Sequence, residues 1–95
     1  MVVGCGRIRL RLYDIHSLKA KRKIVKSIVA KIQNRFKAAA AETGLNDSHE
    51  WADIGFCVVG NDSARVNSQV DKIFTFVDDT GLAMVADTNM EIMHL

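Results

Sequence analysis

The 95-residue sequence has no proline, only six glycines, one tryptophan and one tyrosine. With an apolar fraction of 48%, these scarcities exclude a Pro- or Gly-rich linker and a disordered tail, and they point to a compact globular chain. No apolar run approaches the roughly 18 residues of a membrane span, and Met1 leads into a strand-like segment without the layout of a signal peptide. A soluble, cytoplasmic protein is expected, with no membrane partner. The two cysteines, Cys5 and Cys57, show no zinc or redox spacing and lie in apolar strand-like surroundings, which predicts reduced, structural thiols. His16, His49 and His94 are scattered, so no metal site and no cofactor is expected. No Ser-His-Asp, Cys-His or P-loop signature is present, and the chain reads as a non-enzyme.

The sharpest deficit is of acid. Residues 1–37 hold eleven of the thirteen Lys and Arg with Asp14 as their one acid, whereas residues 38–95 hold the other two cations and ten acids. A net charge of +2 therefore conceals a strong local field.

Residues 2–13 alternate, with Ile8, Leu10 and Leu12 on one side and Arg7, Arg9, Arg11 and Tyr13 on the other, which predicts a half-buried strand. Ser17 is a natural N-cap, and Leu18, Val25, Ile28, Val29, Ile32 and Phe36 recur at helical spacing, so a helix is expected over 18–36. Trp51 to Gly60 alternates again, with Ala52, Ile54, Phe56 and Val58 sharing one side. Asn61-Asp62-Ser63 supplies capping groups for a second helix with the stripe Val66, Val70, Ile73, Phe74 and Val77, and Gly81 offers its stop. From Leu82 onward the chain is β-like, with Met84, Ala86, Met90 and Ile92 on one parity and Val85, Asp87, Asn89 and Glu91 on the other.

The segment KAAAAET, residues 37–43, is ambiguous by propensity. Read as a short strand hairpinned to residues 51–60, it completes the α+β ferredoxin-like plan βαββαβ, a single domain over 1–95. The expected strand order is 4-1-3-2, with two helices on one face of an antiparallel sheet. Acylphosphatases share this plan, but their glutamine-glycine-valine and Phe-Arg signature is absent.

The block His16-Ser17-Leu18-Lys19 with Lys21-Arg22 resembles the YlxP-like family of small bacterial proteins, a family of unknown function. The likeness includes Met1-Val2-Val3-Gly4, Phe36, Ala41-Glu42, Ala52 to Gly55, Val58-Val59 and Asn61-Asp62. It implies a ferredoxin-like fold in a cytoplasmic protein, and a link to RNA or ribosomes because family genes commonly neighbour those of translation initiation and ribosome-binding factors. The chain departs from the family at Lys37 and Ala39, where Asn and Ser are usual, and in the later position of Trp51. The resemblance carries over no catalytic residue.

On the first helix, Lys19, Arg22, Lys23 and Lys26 fall within an arc of roughly 100° opposite the apolar stripe. Residues 16–37 hold eight cations and no acid, so no i,i+4 ion pair relieves them, and cations at a helix start oppose its dipole. Two explanations compete: the ridge binds phosphate, or acids such as Asp14, Glu42 or Glu50 fold back and neutralise it. Lys21 falls on the apolar side, where it either snorkels at the helix end, the preferred reading, or reaches the sheet rim beside His16. Arg7, Arg9 and Arg11 face acids on both expected neighbour strands, which favours cross-strand ion pairs over nucleic-acid contact. The aromatics on which RNA-recognition domains of this topology stack bases are missing from the central strands.

These residues lead to a non-catalytic RNA- or ribosome-associated protein that contacts phosphate through Lys19, Arg22, Lys23 and Lys26, with Lys21, Arg7, Arg9 and Arg11 secondary. The alternative is a protein-interaction module, a homodimer or the receptor of an acidic partner, since the basic first third complements the acidic remainder.

Overall fold

The computed structural model describes residues 1–95. Its elements run β1 (Val2–Arg11), α1 (Leu18–Phe36), β2 (Ala39–Gly44), β3 (Trp51–Gly60), α2 (Ser63–Asp79) and β4 (Met84–His94). The strands form one antiparallel sheet in the order β2-β3-β1-β4, and this is the ferredoxin-like arrangement expected from the sequence. The ambiguous alanine segment is indeed a strand. Alanine's helix preference is overridden because Lys37 takes a left-handed φ of 56° and donates its N–H to the Gln33 carbonyl, which ends α1.

The alternation in β1 and β3 decides what is buried. Ile8, Leu10, Ala52, Ile54, Phe56 and Val58 point toward the helices and meet Val25, Ile28 and Ile32 of α1 and Val66, Val70, Ile73 and Val77 of α2. Edge-to-face contacts of Phe36 with Phe76 and of Phe56 with Phe74 close the layer, at centroid distances of 5.4 and 5.5 Å. Gly6 pairs with Phe56 across the strands, and a methyl group at Gly6 would lie 2.3 Å from the Phe56 ring, so the ring occupies the space that glycine leaves.

Strand β4 departs from strict period two. The pairing of β1 with β4 shifts between Arg9 and Leu10, so that Arg9 faces Asp87 while Leu10 faces Val85. One extra residue on β4 reverses the parity beyond the bulge. Val85 consequently packs against the core, whereas Met84 is exposed and accepts a hydrogen bond from the Tyr13 hydroxyl at 3.2 Å. The expectation that Met84 and Ala86 share a face with Met90 and Ile92 is corrected by this bulge.

Candidate nucleic-acid interface

Ser17 begins α1 as expected: its hydroxyl accepts from the Ala20 N–H at 3.1 Å. Burial of Val25, Ile28 and Ile32 then fixes the rotation of the helix and leaves Lys19, Arg22, Lys23 and Lys26 exposed. None of these four forms a salt bridge; the cations that do are Arg7, Arg9, Arg11, Lys21 and Arg65. None of the three acids that could have folded back onto the ridge pairs with it. Glu50 lies 3.1 Å from Arg11 and Glu42 lies 3.0 Å from Lys21, while Asp14 pairs with nothing. Beside the ridge, between α1 and the outer edge of β2, runs a groove of about 400 Å³ lined by Arg22, Val25, Lys26, Val29, Ala30, Gln33 and Glu42.

Lys21 corrects the sequence reading. It does not snorkel, and it is no part of the exposed ridge: its side chain is fully buried. Its Nζ donates to the Leu45 carbonyl at 2.6 Å and sits 3.0 Å from Glu42 Oε2. That oxygen accepts no hydrogen bond of good angle, so its contact with Lys21 is Coulombic, and at this distance the charges attract whatever the angle. Because Glu42 faces the helices from β2, opposite Ile54 on β3, Lys21 ties three elements together: α1, the edge strand and the turn that follows it. Leu45 itself holds a left-handed φ of 60°. A helical wheel shows Lys21 pointing inward but cannot show that a carboxylate arrives there from 21 residues downstream.

The strand arginines also lie apart from the ridge, on the sheet face away from the helices. Arg9 makes a two-point contact with Asp53, Nε to Oδ1 at 2.8 Å and Nη2 to Oδ2 at 2.9 Å. The paired guanidinium holds the Asp53 carboxyl below its usual range against the opposing effect of burial, and the carboxylate raises Arg9 in return. Arg7 stands 3.8 Å from Asp87, and Arg11 stacks over Trp51 with 5.0 Å to the ring centroid. Ion pairs with Asp53 of β3, Asp87 of β4 and Glu50 of the loop before β3 thus occupy these arginines. Of the eight residues singled out from sequence, α1 brings four together as a free basic ridge, the open sheet face holds three in ion pairs, and the core holds one.

The cysteines are free thiols in strands, as expected, but the sequence alone did not bring them together. Cys5 and Cys57 are direct partners across β1 and β3, on the open face and half-buried, with their Sγ atoms 2.9 Å apart. The hydrogen bond to Cys57, helped by burial and by the nearby Glu91 charge, pushes the Cys5 thiol up to about 11.

Comparison with known proteins bears on this geometry. Residues 3–90 match the family described as "Protein of unknown function (DUF503)". The chain belongs to that family. A relative, "Uncharacterized protein YlxP" of Bacillus subtilis (strain 168), is 26% identical over 77 residues, covering 81% of this chain and 84% of the relative. The resemblance carried by the HSLKxKR block is therefore borne out, and within that block Lys21 is the residue that reaches across the core to Glu42. Among solved structures, the de novo designed protein Foldit4 superposes with a TM-score of 0.53 at 13% identity, covering 99% of this chain and 97% of the design. That likeness concerns the fold alone. No helix is long and apolar enough to cross a membrane.

Proposed function

We propose that this DUF503 protein is an RNA- or ribosome-associated binding protein that lays the exposed face of α1 along a phosphate backbone. The observation that carries this reading is the lack of any acid paired with Lys19, Arg22, Lys23 and Lys26, in a chain where Lys21 and all three strand arginines do have acidic partners. Like charges held on one ridge repel, and phosphate relieves the repulsion. Phosphate contacts position a protein without reading bases, so affinity should vary little with sequence. The strand arginines, already paired, contribute little.

The test is fluorescence anisotropy with a labelled single-stranded RNA and with an rRNA fragment across a salt series. Four neutralised phosphates give a slope of log affinity against log salt of about −3. The quadruple variant K19A/R22A/K23A/K26A should lose nearly all of this affinity with unchanged circular dichroism. Salt-insensitive binding, or full affinity in the quadruple variant, refutes the reading.

A second reading, a protein-interaction module, is favoured by one specific observation. Strand β2 pairs only with β3, so its outer backbone edge is open beside the groove under α1. Two-fold pairing of β2 with a second copy would place the two basic helices side by side on one face of the joined sheet. Such a dimer would strengthen with added salt, whereas docking of the basic ridge on an acidic partner would weaken. Light scattering across salt concentrations separates the two.

A further inference from the structure

The cysteine pair has a use that neither ridge nor groove absorbs. Four observations converge on it. Cys5 and Cys57 are register partners in adjacent antiparallel strands, and directly opposite residues there have Cα atoms about 4.5 to 5.5 Å apart, inside the range that a disulfide spans. Both side chains leave the sheet on the same face, since Gly4, Gly6, Phe56 and Val58 take the alternate, helix-facing positions. Their sulfurs are already 2.9 Å apart as free thiols. The pair is also reachable from solvent: both cysteines are partly exposed and line a shallow concavity of about 370 Å³, whose lining includes the small residues Ala39, Ala41, Thr43 and Gly55.

We infer that Cys5 and Cys57 are a redox modification site, at which a low-molecular-weight disulfide converts the thiol pair into a cross-strand disulfide joining the two central strands. The reaction balances with one such molecule. A thiolate of the pair attacks one sulfur of the reagent, forming a mixed disulfide and releasing one thiolate, which takes up a proton. The second protein thiol, its proton passing to water, attacks the protein sulfur of the mixed disulfide and releases the second reagent thiolate, protonated in turn. Two protein thiols are oxidised by two electrons and the reagent is reduced to two thiols. The second step is fast here, because the resolving sulfur is already in contact with its target. A first attack by Cys5 is slow near neutral pH, since the thiol-to-thiol hydrogen bond helps that thiol retain its proton.

The experiment incubates the native protein in glutathione buffers of graded oxidised-to-reduced ratio, then quenches with acid, alkylates and weighs the product. The expected product is a monomer that has lost two hydrogens and both alkylatable thiols, with no retained glutathione. The ratio needed for half-oxidation should be about tenfold or more lower for the folded protein than for the same chain in urea, where the sulfurs must find each other. The oxidised protein should melt roughly 10 °C or more above the reduced one. Cys57→Ser, with Cys5→Ser as the reciprocal variant should the first not fold, should stop at one glutathione per chain. The inference is overturned if both thiols of the folded wild type remain alkylatable in the most oxidising buffer. It is equally overturned if the products are glutathione adducts or intermolecular dimers, or if folded and unfolded chains oxidise at the same ratio.

Discussion

Replacing Lys21 by methionine keeps most of the side-chain length and deletes the charge, so it isolates what the buried ammonium does. Three losses follow in the structure: the 2.6 Å hydrogen bond to the Leu45 carbonyl, the 3.0 Å contact with Glu42, and the charge that neutralises a carboxylate only 16% exposed. Breaking a buried pair by removing one partner costs about 3–5 kcal/mol, chiefly because the other charge stays behind unpaired. A domain of this size has about 5–15 kcal/mol in all, so K21M should consume a large fraction and lower Tm by roughly 15 °C or more. E42Q, which strands the ammonium but keeps an acceptor, should cost less, and K21M/E42L should recover most of the loss because an apolar pair leaves no orphaned charge. The assay is urea unfolding of the wild type, both single variants and the double variant, fitted as a double-mutant cycle. A K21M loss below about 0.5 kcal/mol would show that Lys21 is solvated after all, and a double variant as unstable as the sum of its singles would show that the pair does not interact.

Asp53 has a lowered folded-state pKa, so the stability it adds through Arg9 is present above its unfolded value near 3.8 and is lost as pH falls through the lower folded value. D53N should therefore cost about 1–2 kcal/mol at pH 7, discounted because the Arg9 side chain is 38% exposed, and its deficit should shrink in acid titrations followed by circular dichroism. Gly6→Ala forces a methyl group into the Phe56 ring and should lower the urea midpoint by an amount equivalent to about 1–3 kcal/mol, with the Phe56 resonances shifted in NMR spectra. Alkylation of Cys5 followed against pH should have its midpoint near 11, and Cys57→Ala should bring it down toward the ordinary 9.0 by removing the hydrogen bond that raises it.

How far the sequence could be read depended on whether a signal was local. The alternation in β1 and β3, the stripe of α1 and the Ser17 cap are local, and each element lies where those patterns put it. Reading residues 37–43 as a strand required the topology, because four alanines alone speak for helix. The bulge in β4 escaped because an extra residue is visible only against a partner strand's register. Lys21 and the cysteines escaped for the same reason: Glu42 meets Lys21, and Cys57 meets Cys5, through contacts between elements that no period within one element encodes. The ridge of Lys19, Arg22, Lys23 and Lys26, by contrast, belongs to a single helix and was legible in full as an exposed cluster.

The Lys21–Glu42 contact also gives the fold a particular response to heat. Hydration of charged groups becomes less favourable as temperature rises, so the desolvation cost of burying this pair falls on warming, while the gain per unit of apolar burial levels off. An apolar replacement of the pair should look best in the cold and lose its advantage on heating. The lysine that anchors the edge strand to α1 is thus a weak link for folding at low temperature and a comparatively strong one near the melting transition.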